Sequence, residues 1–149
     1  MMTDVIAFEK ILTVRTTEKD LAYKNYQQAV GNFENVATKL YNLLKEKEDI
    51  EITLSKTMES SIPAFQLHHY HQYINQLNDK INGLQQSVAQ ARMYMNEEQE
   101  NLTDTYVEMK KIEKLVENKK TKKKQEMDKA EEQILDEVSI QQFIRNRKR

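Results

Sequence analysis

The chain has 149 residues, enough for one ordinary domain, yet 32% are charged, with 2 Gly, 1 Pro and no Trp. That bias marks long helices rather than a many-turned globule. The absence of Cys excludes disulfides, thiolate metal sites and cysteine nucleophiles. A net charge of −1 excludes a general electrostatic grip on nucleic acid, and no apolar run approaches the roughly 20 residues that span a bilayer.

Residues 1–15 carry Asp4, Glu9 and Lys10 inside their apolar pattern, so they do not read as a secretory signal; the expectation is a soluble, cytoplasmic protein. Helix one is expected over about 3–59, starting where Thr3 or Asp4 can cap exposed amides and suit the positive end of the dipole. Counting from Val5 in alternating steps of three and four gives Phe8, Leu12, Arg15, Lys19, Ala22, Tyr26, Ala29, Phe33, Val36, Leu40, Leu43, Lys47, Ile50 and Leu54. A mean step of 3.5 keeps one stripe of a helix facing a partner helix. Ser60-Ser61-Ile62-Pro63-Ala64 is the one strong turn signal, because Pro63 drives Ile62 out of helical geometry and suits the first turn of a new helix. Helix two is expected over about 64–144. Its stripe runs Leu67, Tyr70, Ile74, Leu77, Ile81, Leu84, Val88, Ala91, Met95, Glu98, Leu102, Thr105, Met109, Ile112 and Val116. A turn this short forces the helices antiparallel. The fold expected is therefore all-α, a single long antiparallel two-helix coiled coil.

The arms are unequal. Pairing Thr57 with Leu67 puts Val5 opposite about Lys119, which leaves an overhang from about residue 120 without a partner inside the chain. The apolar spacing continues there in Met127, Ala130, Ile134, Val138 and Ile144. A lone helix gains little stability without packing, so such a stripe reads as a surface for a second molecule. The plainer alternative is a frayed tail.

Local oddities each carry a bland reading beside a functional one. Lys119-Lys120-Thr121-Lys122-Lys123-Lys124 suits an acidic surface or a solvated helix face, and the basic run Arg145-Asn146-Arg147-Lys148-Arg149 is explained by the helix dipole. His68 and His71 share a face, but no cysteine or nearby carboxylate completes a metal site. Arg15, Lys19 and Lys47, with Glu98 and Thr105, put polar groups into the seam, where they are expected to fix register. No Gly-rich phosphate loop and no carboxylate cleft is present, so neither enzymatic activity nor a cofactor is expected.

Three stretches resemble the flagellar export protein FliJ family: Phe8-Glu9-Lys10-Ile11-Leu12; His69-Tyr70-His71-Gln72-Tyr73-Ile74-Asn75-Gln76-Leu77; and Met127-Asp128-Lys129-Ala130 followed by Leu135-Asp136-Glu137-Val138 through Phe143. The resemblance implies a soluble part of the flagellar type III export apparatus that is similar to the central stalk of rotary ATPases. It implies three partners: the export ATPase ring, the export-gate membrane protein and export chaperones. The gate surface would lie on early helix two, with Tyr70, Tyr73 and Leu77 as its contacts. The ring would hold the overhang through Met127, Ala130, Ile134, Leu135 and Val138. Lys80 and Leu84 depart from the family's residues in the gate patch, and the stripe also claims Leu77 for the seam. Localisation would be cytoplasmic, peripheral to the membrane, with no direct insertion and no nucleic acid. The competing reading is a self-associating tether unrelated to secretion.

Overall fold

The computed structural model describes residues 2–147; Met1, and Lys148 and Arg149 of the basic terminus, lie outside the described residues. Two helices, α1 (Met2–Met58) and α2 (Ala64–Arg147), account for nearly all of them, and no strand occurs among the described residues. They pack against each other as an all-α helical hairpin. Every residue of both stripes, from Val5 to Leu54 and from Leu67 to Val116, is buried or half-buried. Alternate three-and-four spacing thus selects the packed face along both helices.

The helix ends differ in detail from the capping expected. Because α1 already includes Met2, Thr3 and Asp4 lie inside its first turn, and Asp4 acts there as a favourable charge near the dipole rather than as a cap. At the other end Ser60 closes α1: its backbone N–H and its hydroxyl both donate to the Thr57 carbonyl, at 3.1 and 3.0 Å. Pro63 precedes α2, and its carbonyl accepts from the amides of Gln66 and Leu67 at 3.1 and 3.3 Å. It therefore occupies the N-cap position, where a missing N–H costs nothing.

The chain packs as two compact units. In the unit Leu21–Thr103, which contains the turn, Ala22, Ala29, Leu54, Leu77, Ile81 and Ala91 are buried. The Arg92 guanidinium lies 5.6 Å from the centroid of the Phe33 ring, and the Tyr73 hydroxyl donates to the Glu46 carboxylate. Both cross-helix contacts straddle the pairing of Thr57 with Leu67.

The other unit joins residues 1–20 to residues 104–149, and Met109 and Val116 form its buried core. Here the lysine run does structural work. Lys120 pairs with Glu9 at 2.8 Å, and the Lys119 ammonium sits 4.7 Å from the centroid of the Phe8 ring. Two of the five lysines thus fasten the start of α1 to α2, leaving Lys122, Lys123 and Lys124 without an ion pair among the described residues.

The seam cations do not bridge the helices. Arg15 pairs with Glu18 at 3.1 Å, Lys19 with Asp20 at 2.6 Å and Lys47 with Glu51 at 3.9 Å, each along its own helix. Long aliphatic stems cover the seam while the charged ends reach its rim. An ion pair within one helix is indifferent to the position of the other, so these three pairs do not themselves select a register. Two seam atoms are nevertheless buried without a hydrogen-bond partner, Nε of Arg15 and one carboxylate oxygen of Glu98. An orphaned charged oxygen costs more than an apolar group of similar size. Glu98→Leu is accordingly expected to stabilise the hairpin by about 1–3 kcal/mol, read as a rise in the urea midpoint. A fall in that midpoint overturns the assignment.

Candidate functional site

Two surfaces carry the residues singled out by the sequence. The first lies in the turn-containing unit, on the opening turns of α2. Leu77 is only 2% exposed: it is packed into the seam and unavailable to a partner, which corrects its reading as a docking contact. Tyr70 is half-buried at the seam edge, while Tyr73 is 41% exposed and stands on the flank. The Glu46 hydrogen bond raises the Tyr73 phenol above its ordinary pKa, and desolvation and the charge of Glu46 act in the same direction. A phenol that donates to a carboxylate loses that bond on ionising.

The structure joins the stripe residues Ile50 and Tyr70 to residues that stripe counting passes over. Ile50 of α1 faces Gln66, His69, Tyr70 and Tyr73 of α2 across a groove of about 570 Å³. Phe65 meets His69 edge-on, with ring centroids 4.5 Å apart and planes at 89°. The pairing of Thr57 with Leu67, which sets the stripe residue Ile50 level with Ile74, was the signal that could have placed Ile50 beside this patch.

The second surface is the remainder of α2 in the other unit. Every residue from Lys124 to Arg147 is exposed. The face that buries Met109 and Val116 continues through Met127, Ala130, Ile134 and Val138, because all of these lie within a narrow sector of the same helix. Ile134 is 59% and Val138 45% exposed. Leu135 lies about 80° from Met127 around the axis, so it stands apart from this stripe. Ile140, Phe143 and Ile144 are exposed as well, on the remaining sides. Among the described residues, no group of His and carboxylates could hold a metal ion, and no helix is long and apolar enough to cross a membrane.

The chain is thus a seam-packed hairpin whose second helix carries the same apolar face on into solvent. The family model described as "Flagellar FliJ protein" matches residues 4–148. A curated "Flagellar FliJ protein" from Bacillus subtilis (strain 168) is 37% identical over 137 residues, covering 92% of this chain and 93% of that one. The chain belongs to the flagellar FliJ family. No solved structure matches it.

Proposed function

We propose that this chain is a component of the flagellar type III protein export apparatus, a stalk-like coiled coil that binds and does not catalyse. In this reading Met127, Ala130, Ile134 and Val138 enter the ring of the export ATPase, and Tyr70 and Tyr73 dock on the export-gate membrane protein. Export chaperones are further partners, and the chain is cytoplasmic, held at the membrane only through the apparatus. The observation that carries the reading is the unbroken exposure of Lys124–Arg147 along an apolar face that is buried earlier in the same helix. Family membership supplies the flagellar context.

Charge argues against a second copy as the occupant of that face. An antiparallel pairing that sets Met127 against Val138 and Ala130 against Ile134 flanks the contact with Glu126, Glu131 and Glu137 of both copies, an acidic band facing its own like. A parallel pairing in register does likewise, and like charges at an interface oppose it. The band suits a basic partner surface instead.

The test is affinity capture of the tagged chain from motile cells after mild cross-linking. The export ATPase and the gate protein are expected among the captured proteins, and their consistent absence sinks the reading. In the same preparation, sedimentation at low ionic strength is expected to show a monomer, with self-association growing only as salt screens the acidic band. A salt-independent dimer favours the tether.

A further inference from the structure

One flank of the turn-containing unit departs from the charged flanks usual beside a coiled-coil seam. On α1 the stripe residues Ala22, Ala29, Val36 and Leu43 are each followed by a further apolar residue: Tyr23, Val30, Ala37 and Leu44. Nearer the ends of the helix, Phe8, Arg15 and Ile50 are followed by Glu9, Thr16 and Glu51 instead. Residues that precede stripe positions form the opposite flank, where Tyr73 meets Glu46, and there α1 offers Asn25, Asn32 and Lys39. The apolar widening is therefore one-sided. Tyr23, Leu44 and the adjoining Tyr41 are exposed, and Val30 and Ala37 are half-buried.

Two apolar rows suffice for a two-helix seam, whereas a third marks a helix that faces a second neighbour, as in a bundle. Across the groove α2 presents amides. Asn78 and Gln85 follow the stripe residues Leu77 and Leu84, with Asn75, Asn82 and Asn96 in the next row out. The one charge in these two rows between Asn75 and Gln99 is Arg92, whose guanidinium lies 5.6 Å from the centroid of the Phe33 ring.

We propose that this flank receives one amphipathic helix of a partner protein, completing a three-helix bundle over about 32 Å, from Tyr23 to Leu44. The apolar stripe of that helix packs on Tyr23, Val30, Ala37 and Leu44. Its edge towards α1 carries Lys or Arg, and its edge towards α2 carries uncharged polar residues. The surface lies on the flank away from Tyr73 and depends on neither the ring nor the gate assignment.

Charge selects that occupant. On α1 the row outside the apolar one contains Glu34, Tyr41 and Glu48. Both carboxylates are exposed, and neither makes an ion pair among the described residues. A helix seated in the groove lies between these carboxylates and the amides of α2. Cations are matched on the first side, while a charge pressed onto the amide side loses water and finds no counter-charge. A second copy fits badly. Packing α1 antiparallel on its own counterpart, with Tyr23 against Leu44, brings the two Glu34 side chains together. Laying the apolar row on α2 of the copy sets it against Asn78 and Gln85. Both arrangements oppose association.

The probe is a synthetic helical peptide of three heptads with a Leu stripe, Gln along one edge and Lys along the other. A second peptide carries Glu in place of Lys. Binding to the full chain is read by fluorescence anisotropy at low ionic strength. Wild type is expected to bind the Lys peptide one to one, and the Glu peptide about tenfold more weakly. Glu34→Lys with Glu48→Lys should reverse that preference. Tyr23→Glu with Leu44→Glu should weaken the Lys peptide by at least about tenfold. Asn32→Glu with Asn35→Glu adds the same charge on the other side of α1 and should bind it undiminished. In cells, the Tyr23 and Leu44 variant should fail to spread on soft agar, and the Asn32 and Asn35 variant should spread. If the changes at Tyr23 and Leu44 unfold the chain, the charge reversal at Glu34 and Glu48 decides alone. The proposal is overturned by a Lys peptide that does not bind, by equal affinity for both peptides, or by normal spreading of a folded Tyr23 and Leu44 variant. A wild-type dimer that Leu44→Glu dissolves overturns it too, and gives the flank to a second copy.

Discussion

Replacing Ile134 and Val138 together with Asp is expected to abolish binding to the export ATPase while leaving the folded hairpin intact. Both side chains stand largely in solvent, at 59% and 45% exposure, and both lie on the face that Met109 and Val116 bury earlier in α2. Their contribution to the chain's own stability is therefore small. Burial against a partner contributes about 2 kcal/mol for each, so losing both lowers affinity by roughly a thousandfold. Carboxylates placed in an apolar contact reduce it further. Leu135→Asp serves as the comparison: equally exposed but off the stripe, it should weaken binding far less. Helicity and thermal unfolding of the purified chains give the structural readout, ATPase binding and spreading on soft agar the functional one. A collapse in melting temperature for the double variant would mean that this part of α2 is internally packed.

The periodicity of the sequence was enough to reach the hairpin. A step alternating between three and four picks the packed face without knowledge of the partner helix, because both helices obey the same geometry. Residues as unlike as Ala29, Lys47 and Glu98 all fall on that face, so the spacing and not the hydrophobicity of any one position carried the signal. Side-chain direction was not legible in the same way. Arg15, Lys19 and Lys47 share the seam backbone yet send their charges along their own helix to Glu18, Asp20 and Glu51. Which carboxylate a flexible cation reaches depends on rotamers that spacing does not encode. Leu77 shows the limit of resemblance: the stretch around it is similar to a docking motif, but its place in the heptad buries it. The groove beside Tyr73 needs Ile50 from the other helix, and no local motif announces a residue contributed from that far along the chain.

Truncating Ile81 and truncating Tyr73 are expected to have opposite consequences, and the contrast separates packing from docking. Ile81 is 4% exposed in the middle of the α2 stripe. Ile81→Ala removes three buried carbons and leaves a cavity in the seam, which costs about 2–5 kcal/mol. For a chain of this size that lowers the melting temperature by roughly 4–20 °C. Binding by the folded fraction should be unchanged, since Ile81 reaches no surface. Tyr73 stands on the flank, 41% exposed, where its hydroxyl donates a hydrogen bond to Glu46. Solvent replaces an exposed bond of that kind readily, so Tyr73→Ala should melt close to wild type. It nonetheless removes a wall of the groove and an aromatic of the sort that anchors interfaces, and gate binding and swimming should fall. Tyr73→Phe keeps the ring while releasing Glu46, and it should retain most of the binding. If Tyr73→Ala swims normally with unchanged melting, the aromatic patch has no docking role and the gate is held elsewhere on the chain.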